Sequence, residues 1–175
     1  MRRVRYAVAM SLDGYIAGPA DEHDWILMDP SIDFASLFAS FDTVLMGRRT
    51  FEQVLRQKSK GHILGMRTYV FSRTLQPARH PEVTVLADNG IETVAALREE
   101  GGKDIWLVGG GVLFGSLLAA GLVDSVEATI VPVLLGAGRP LLSGSAGRVA
   151  LKLVAADRTP LGLVTLQYAV SRPEA

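Results

Sequence analysis

The chain lacks cysteine altogether, and its charges cancel. None of the 175 residues is cysteine, and 18 basic residues stand against 18 acidic ones. The first absence excludes disulfides and any metal site built with thiolates. The second argues against a protein that binds nucleic acid through bulk electrostatic attraction, so we expect no nucleic-acid partner. The three histidines, His23, His62 and His80, lack the spacing typical of metal ligands, so no metal site is predicted.

One long stretch also lacks charge of either sign. Residues 105–123 read IWLVGGGVLFGSLLAAGLV, close to the length of about 20 apolar residues that a membrane-spanning helix needs. Each of its three consecutive glycines would weaken such a helix by about 1 kcal/mol relative to alanine. The sequence therefore favours a buried strand over Ile105–Val108, a glycine turn, and a buried helix over Val112–Ala120. Because the basic start, Met1-Arg2-Arg3, is not followed by an apolar signal core, we expect a cytoplasmic protein without a membrane partner.

Apolar runs alternate with helical patterns along most of the chain. The predicted strands are Val4–Met10, Thr43–Met46, Thr68–Phe71, Val83–Leu86, Ile105–Val108, Ser125–Val131, Leu151–Ala155 and Val164–Val170. The predicted helices cover Phe34–Phe41, the residues after Gly47, Ile91–Glu100 and Val112–Ala120, and a glycine-rich loop covers Leu135–Pro140. This order predicts a single α/β domain over residues 1–175, with a largely parallel sheet, helices on both faces and an antiparallel hairpin at the carboxyl end.

Three strand-to-turn junctions carry residues that suit an anion. Gly47–Thr50 brings glycine, two arginines and threonine to a helix N-terminus, where unpaired N–H groups and guanidinium donors attract phosphate; a capping threonine with solvated arginines is the alternative. Ser72-Arg73 follows another strand and is a weaker signal. The glycines at 109–111 allow close approach of a ligand, or merely close packing of strand and helix. Together they predict a phosphate-bearing ligand at the carboxyl edge of the sheet.

Five motifs, in this order, resemble the dihydrofolate reductase superfamily, and more closely its branch with the reductase domain of bacterial riboflavin biosynthesis. They are SLDGYIA at 11–17, MGRRTF at 46–51, VGGG at 108–111, AGLVD at 120–124 and PVLLGAGRPL at 132–141. The resemblance covers nearly the whole chain. It implies an NADPH-dependent reductase on a mixed, mostly parallel eight-stranded sheet with flanking helices.

The resemblance also implies where each ligand binds. Ser72 and Arg73 match the pair beside the adenosine 2′-phosphate, and the glycine turn matches the loop at the pyrophosphate. On the substrate side, it implies Trp25, Phe114 and Thr129. The full set of implied cofactor-binding residues is Ala9, Ile16, Ala17, Gly47, Arg48, Arg49, Thr50, Ser72, Arg73, Val108, Gly109, Gly110, Gly111, Val112 and Leu113.

A hydride transfer needs no covalent nucleophile, but a proton must still reach the product. Asp33 is the favoured donor, because the family places a carboxylate in the helix after the matching tryptophan; Asp13 and water are the alternatives. Both carboxylates also have structural interpretations. Asp13 would cap the turn at 12–15, and Asp33 would be a favourable charge at a helix N-terminus.

Several positions depart from both branches of the family. Val108 and Tyr15 stand where the riboflavin-pathway reductases carry glutamate and lysine, and Phe114 stands where dihydrofolate reductases often have tyrosine. The substrate class therefore stays broad: a small pterin- or pyrimidine-like heterocycle, or a related C=N or C=O compound. The alternative function is a non-catalytic NADP-binding or sensor protein on the same fold.

A homodimer is expected, mainly from the family resemblance. The segment Pro132–Leu142 would also place four leucines in a loop-rich region, where an exposed apolar patch is costly. The alternative is that these leucines complete the core. They are Leu134, Leu135, Leu141 and Leu142.

Overall fold

Strands and helices alternate through the chain as the apolar pattern predicts. The computed structural model describes residues 1–56, 63, 65–144 and 147–171; His62 lies outside the described residues. The strands are β1 (Val4–Ser11), β2 (Tyr15–Ala17), β3 (Phe41–Gly47), β4 (Arg67–Phe71), β5 (Thr84–Leu86), β6 (Asp104–Gly109), β7 (Ser125–Val131), β8 (Arg139–Pro140), β9 (Leu151–Arg158) and β10 (Val164–Val170). The helices are α1 (Phe34–Ala39), α2 (Arg48–Arg56), α3 (Gly90–Glu99) and α4 (Gly111–Ala119), with a single 3₁₀ turn at Pro77–Arg79.

Eight of the strands form one mixed sheet, in the order β5-β4-β3-β6-β1-β7-β10-β9. The pairs from β5 through to β7 are all parallel, whereas β10 runs antiparallel to both β7 and β9. The predicted α/β class, the mostly parallel eight-stranded sheet and the C-terminal hairpin are confirmed. The carboxyl ends of the parallel strands consequently meet at one edge.

The helices cover the two faces of the sheet because alternate residues of each strand point in opposite directions. Leu45 and Leu107, which are register partners, belong to one buried cluster together with the apolar residues of α3 and α4. Val44 and Trp106, the next partners along, belong to a second cluster that includes Phe51 of α2. The central strands β3 and β6 thus pack against apolar residues on both faces of the sheet, which explains why these runs carry so little charge.

The uncharged run resolves into a strand, a turn and a helix. Its first part is β6, the fourth strand of the sheet, and its second part is α4, which has 9 residues. Ile105, Leu107 and Leu117 are fully buried. The prediction of a buried strand and helix is therefore confirmed, and none of the described helices is long and apolar enough to cross a membrane.

Apart from shifts of one to three residues at the ends of elements, the structure differs from the predicted elements in two places. Phe41, predicted at the end of the first helix, opens β3 instead, because its ring packs on Trp106 with 5.7 Å between the ring centroids. The segment predicted as a glycine-rich loop contains β8, which pairs with β2. A Cβ at Gly138, just before β8, would overlap the carbonyl oxygen of Ala17, so this close pairing requires glycine. Neither short strand has enough apolar residues to be recognised from its pattern.

Candidate functional site

A cavity of about 1070 Å³ lies at the carboxyl edge of the parallel strands. Residues at the ends of β3, β4, β5 and β6 line it, together with the N-termini of α2, α3 and α4 and parts of the segments 16–26 and 138–143. Ligand cavities in proteins usually have volumes of about 300–1,000 Å³, so this one is large enough for an extended ligand. Crevices beyond the carboxyl ends of parallel strands are also the usual binding sites of α/β sheets.

The first wall is the junction between β3 and α2. Gly47 ends the strand, and Arg48, Arg49 and Thr50 form the first turn of the helix; all four line the cavity. Arg48 Nη1 donates to Glu52 Oε1 at 2.9 Å, an exposed pair one turn apart. The first N–H groups of this 9-residue helix and two guanidinium groups therefore meet at the same place, an arrangement that favours an anion.

The glycine turn between β6 and α4 is the second wall, and its three glycines have different surroundings. A Cβ at Gly111 would lie 2.5 Å from the Pro140 carbonyl oxygen, so this position must be small for the chain to pack there. A Cβ at Gly110 would meet no atom within 4 Å, because this glycine faces the open cavity. The N-cap Gly110 provides no side-chain hydrogen bond to α4. The backbone N–H groups at this helix end are therefore not satisfied by a capping side chain.

The far end of the cavity lies between β4, β5 and α3. Phe71 lines it, and a Cβ at Gly90 would overlap the Phe71 ring, so that glycine lets α3 begin directly against the aromatic side chain. Arg73 follows β4 and Asp88 follows β5, and their Nε and Oδ1 atoms are 3.3 Å apart. Their side chains are 82% and 84% exposed, so both remain accessible to a ligand.

A loop from β2 closes the opposite side through an ion pair. Arg139 of β8 donates from Nε to Asp21 Oδ1 at 2.6 Å, and Gln53 of α2 donates to the Asp21 carbonyl oxygen at 3.1 Å. Asp21 has φ +62°, a conformation that few residues other than glycine adopt. The Arg139 hydrogen bond, helped by the nearby charge of Arg49, holds the pKa of Asp21 below its ordinary value. Asp21 is therefore ionised at neutral pH and holds this loop against the cavity wall.

The lining carries more positive than negative charge, although the chain as a whole is neutral. Its described charged residues are four arginines and two aspartates. The α3 N-cap, Asn89, makes no side-chain capping bond, so α3, like α4, presents uncapped N–H groups. A ligand with phosphates at one end and apolar rings at the other would suit these walls. The volume of the cavity, the positive charge of its arginines and its backbone N–H donors all fit NADPH. The four arginines are Arg48, Arg49, Arg73 and Arg139, and the aspartates are Asp21 and Asp88.

The structure brings together nearly all of the residues implied for the cofactor. Fourteen of the fifteen line the same cavity: Ala9, Ile16, Ala17, Gly47, Arg48, Arg49, Thr50, Arg73, Val108, Gly109, Gly110, Gly111, Val112 and Leu113. Ser72 does not, because its Oγ turns back to accept from the N–H groups of Thr74 and Leu75, at 3.2 and 2.9 Å. The Ser72 side chain therefore stabilises the turn after β4.

The three residues implied for the substrate lie outside the lining. Trp25 is half-buried in the loop, and its Nε1 donates to the Glu22 carbonyl oxygen at 3.2 Å. Phe114 is 3% exposed and stacks on Tyr6 within the core, with ring centroids 3.9 Å apart. Thr129 is the register partner of Ala9, so it lies on the sheet beside a residue that lines the cavity.

Neither carboxylate considered as a proton donor faces the cavity. Asp33 caps α1, accepting from Ser36 N at 3.0 Å and from Ser36 Oγ at 2.6 Å. Asp13 accepts from Ser11 Oγ at 2.6 Å and from the N–H groups of Leu135 and Gly136. These hydrogen bonds, the hydroxyl one foremost, lower the pKa of both carboxyls. The described residues also contain no group of three or more His, Asp or Glu side chains placed to hold a metal ion.

Sequence reasoning missed several lining residues. Asp88 had an available signal, since it follows a predicted strand just as Arg73 does, and the ends of parallel strands share one edge. No sequence signal pointed to the other three, which are Arg139, Asp21 and Gln53. They meet only because β2 pairs with β8 and the loop after β2 passes close to α2.

Comparisons with known proteins agree with this architecture. A family model described as the RibD C-terminal domain matches residues 2–165. YyaP, an uncharacterized protein of Bacillus subtilis, is 35% identical over 178 residues, covering 95% of this chain and 94% of its own. A Shewanella sp. PV-4 structure assigned to riboflavin biosynthesis is 25% identical, with a TM-score of 0.82 over 98% of this chain and 100% of that one.

Two further solved structures share the fold at lower identity. A Thermotoga maritima diaminohydroxyphosphoribosylaminopyrimidine deaminase/5-amino-6-(5-phosphoribosylamino)uracil reductase is 19% identical with a TM-score of 0.73, over 97% of this chain and 57% of that one. Enterococcus faecalis dihydrofolate reductase, in complex with NADP(H), is 17% identical with a TM-score of 0.68, over 97% of each chain. The sheet, its strand order and the C-terminal hairpin therefore belong to a fold shared with dihydrofolate reductase.

Proposed function

The chain belongs to the RibD C-terminal domain family, and on this premise we propose that it is an NADPH-dependent reductase acting on a small heterocycle or a related C=N or C=O compound. The observation that carries the proposal is the convergence of three helix N-termini and four arginines on one cavity at the carboxyl edge of the sheet. That convergence suits an extended cofactor with several phosphate charges better than a small neutral ligand.

Three parts of the cofactor would contact different walls of the cavity. The pyrophosphate would meet the first N–H groups of α2 and α4, beside Thr50 and Gly110. The adenosine end would lie against Phe71 and Ile91, with Arg73 near the 2′-phosphate. The nicotinamide would lie over the small apolar residues of β1 and β2, of which Ala17 is 5% exposed.

Catalysis on this chain would consist mainly of positioning. Bound NADPH would supply the hydride from its nicotinamide ring. The small side chains of Ala9 and Ala17 leave room for two flat rings to approach, and the apolar wall that includes Ile16 and Val108 excludes water from the gap. The ion pair of Asp21 with Arg139 keeps the β2 loop over this region. The protein therefore needs no covalent nucleophile.

The substrate would bind on the sheet face next to Ala9. On that face Thr129 Oγ1 and Thr165 Oγ1 are 3.0 Å apart, and Glu127, the register partner of Ala7, is held by Arg5 through two 2.7 Å bonds. These groups form a polar surface beside Ala9, in which the two threonines are half-buried and Glu127 is 8% exposed. A heterocycle with hydrogen-bonding edges fits such a surface better than a purely apolar compound.

The proton that completes the reduction would come from water. Asp13 and Asp33 are both hydrogen-bonded elsewhere, and the pKa of each is lowered, so neither is a good acid at neutral pH. A carbon–nitrogen or carbon–oxygen double bond that accepts a hydride at carbon takes its proton at the heteroatom, which would point toward the solvated mouth of the site.

The proposal is tested by binding first and by turnover second. The chain has two tryptophans, of which Trp106 lines the cavity. Bound NADPH should quench the fluorescence of Trp106 by energy transfer, and the fluorescence of NADPH should rise in return. Trp106→Phe should reduce that transfer more than Trp25→Phe does, because Trp106 lines the cavity. Oxidation of NADPH is then followed by absorbance over a panel of pterins, pyrimidines and quinones. Failure to bind NADPH would refute the proposed function.

The placement of the two carboxylates favours one second candidate. Because neither Asp13 nor Asp33 lines the cavity, the chain would also suit an NADP-binding or sensor protein without turnover. Tight NADPH binding with no oxidation by any compound of the panel would support that candidate over the reductase.

A further inference from the structure

We propose that Asp88 opposes Arg73 at the adenosine end of the cavity and thereby limits the preference of this protein for NADPH over NADH. The inference rests on the proposed function, since it concerns the same cofactor site. It concerns two side chains of the described cavity lining that follow neighbouring strands, β4 and β5.

The two charges are close, but they do not satisfy each other fully. The contact between them runs from Arg73 Nε to Asp88 Oδ1 at 3.3 Å, longer than the usual charge-assisted bond of about 2.7–2.9 Å, and both side chains are more than four-fifths exposed. A bidentate pair, by contrast, would use two guanidinium nitrogens and both carboxylate oxygens. The pair therefore leaves donors of Arg73 and acceptors of Asp88 available to a ligand.

These two groups favour different cofactors. A guanidinium binds a phosphate dianion, whereas a carboxylate accepts hydrogen bonds from ribose hydroxyls and repels a phosphate. Arg73 would thus favour the 2′-phosphate of NADPH, and Asp88 the free 2′-hydroxyl of NADH. A site with both charges side by side binds both cofactors and discriminates less than a site with the arginine alone.

The surroundings of the pair strengthen this interpretation. The N-terminus of α3 follows Asp88 directly, with Gly90 packed against the Phe71 ring, so the carboxylate is held at the end of the cavity and not on a remote surface. Ser72, which the family resemblance implied for the phosphate, is committed to the turn after β4 through its bonds to Thr74 and Leu75. Arg73 is therefore the side chain of that turn that reaches the ligand, and Asp88 stands against it.

The experiment measures dissociation constants of NADPH and NADH for the purified protein and three variants, by calorimetry at low and high salt. Asp88→Asn should tighten NADPH by about five- to tenfold, the effect of removing one unit charge beside a phosphate in partly screened solvent. NADH should change little or weaken, and added salt should shrink the difference. Arg73→Ala should shift the ratio in the opposite direction.

A matched control removes the same charge elsewhere. Asp157 is exposed on β9, at the edge of the sheet opposite β5, and Asp157→Asn should leave both constants unchanged. If Asp88→Asn keeps the wild-type ratio of the two constants, or weakens NADPH, the role of Asp88 is overturned while the proposed function stands. If the wild-type protein binds neither dinucleotide, the proposed function fails and the inference with it.

Discussion

Alanine at two glycines of the β6–α4 region should separate cofactor binding from folding. Gly110→Ala adds a methyl group to the cavity wall, where no atom lies within 4 Å of the new Cβ. Its φ of −100° and ψ of −178° are extended values that alanine adopts freely. Gly115→Ala, one turn further along α4, instead adds a Cβ that overlaps the carbonyl oxygen of Ser143, and Gly115 does not line the cavity.

The expected magnitudes follow from these contacts. For Gly115→Ala, overpacking against backbone costs about 1–3 kcal/mol. Displacing Ser143 would also weaken the 3.1 Å bond from its N–H to the Gly111 carbonyl oxygen, and a net hydrogen bond contributes about 1 kcal/mol. Alanine has a higher helix propensity than glycine, which offsets about 1 kcal/mol of this loss of stability. We therefore expect a net loss of about 1–3 kcal/mol, and a melting temperature lower by about 2–4 °C for each kcal/mol.

For Gly110→Ala we expect the main effect on the affinity for NADPH. Its methyl group would keep the pyrophosphate from the first N–H groups of α4, and we expect NADPH to bind about tenfold more weakly, equivalent to about 1.4 kcal/mol. Stability should fall by no more than about 1 kcal/mol, the difference between a favourable and an unfavourable N-cap residue.

Thermal unfolding without ligand and NADPH titration of the folded protein measure the two effects separately. Each variant is the control for the other, since both add one methyl group to the same turn and helix. A Gly110→Ala protein that binds NADPH as tightly as wild type would refute the assignment of the pyrophosphate to this turn. A Gly115→Ala protein that is as stable as wild type would show that the segment at 140–143 can move away from α4 without cost.

Four further predictions test other parts of the molecule. Arg48→Ala and Arg73→Ala should each weaken NADPH more than NADH, and equal calorimetric losses for both cofactors would contradict their assignment to phosphate. Asp33→Asn should leave kcat unchanged in steady-state assays, because the carboxylate is exposed at a helix N-cap; a loss near the roughly 10²–10⁴-fold worth of a general acid would restore its catalytic role. The nearby hydroxyls of Thr159 and Ser31 hold the pKa of Asp29 below its usual value. Its stabilising effect is therefore complete above the unfolded-state pKa of about 3.9 and is lost as the pH falls, so Asp29→Asn should flatten acid unfolding curves. Light scattering should report about twice the 18.8 kDa of one chain, since Leu134 is 69% exposed in the segment expected to dimerise, and a monomer mass would contradict the homodimer.

The strands and most helices could be predicted because their signals are local. An apolar run bounded by turn residues predicts a strand, and Ser125–Val131 and Val164–Val170 have the predicted boundaries. The arginine and glycine junctions followed from the same order, since every parallel strand ends at one edge. Phe41 shows the limit of local signals: its helical spacing was outweighed by packing on Trp106.

The sequence by itself determined the α/β fold, the edge at which an anion would bind, and the residue types gathered there. Only the tertiary structure separated Gly110, which faces the cavity, from Gly111, which packing requires, although both read as members of one glycine triplet. The tertiary structure also decided that Asp33 caps its own helix and that Asp88 lies next to Arg73. The physical reason is that burial depends on a pattern repeated along the chain, whereas the direction of one side chain depends on neighbours that the fold brings from distant positions.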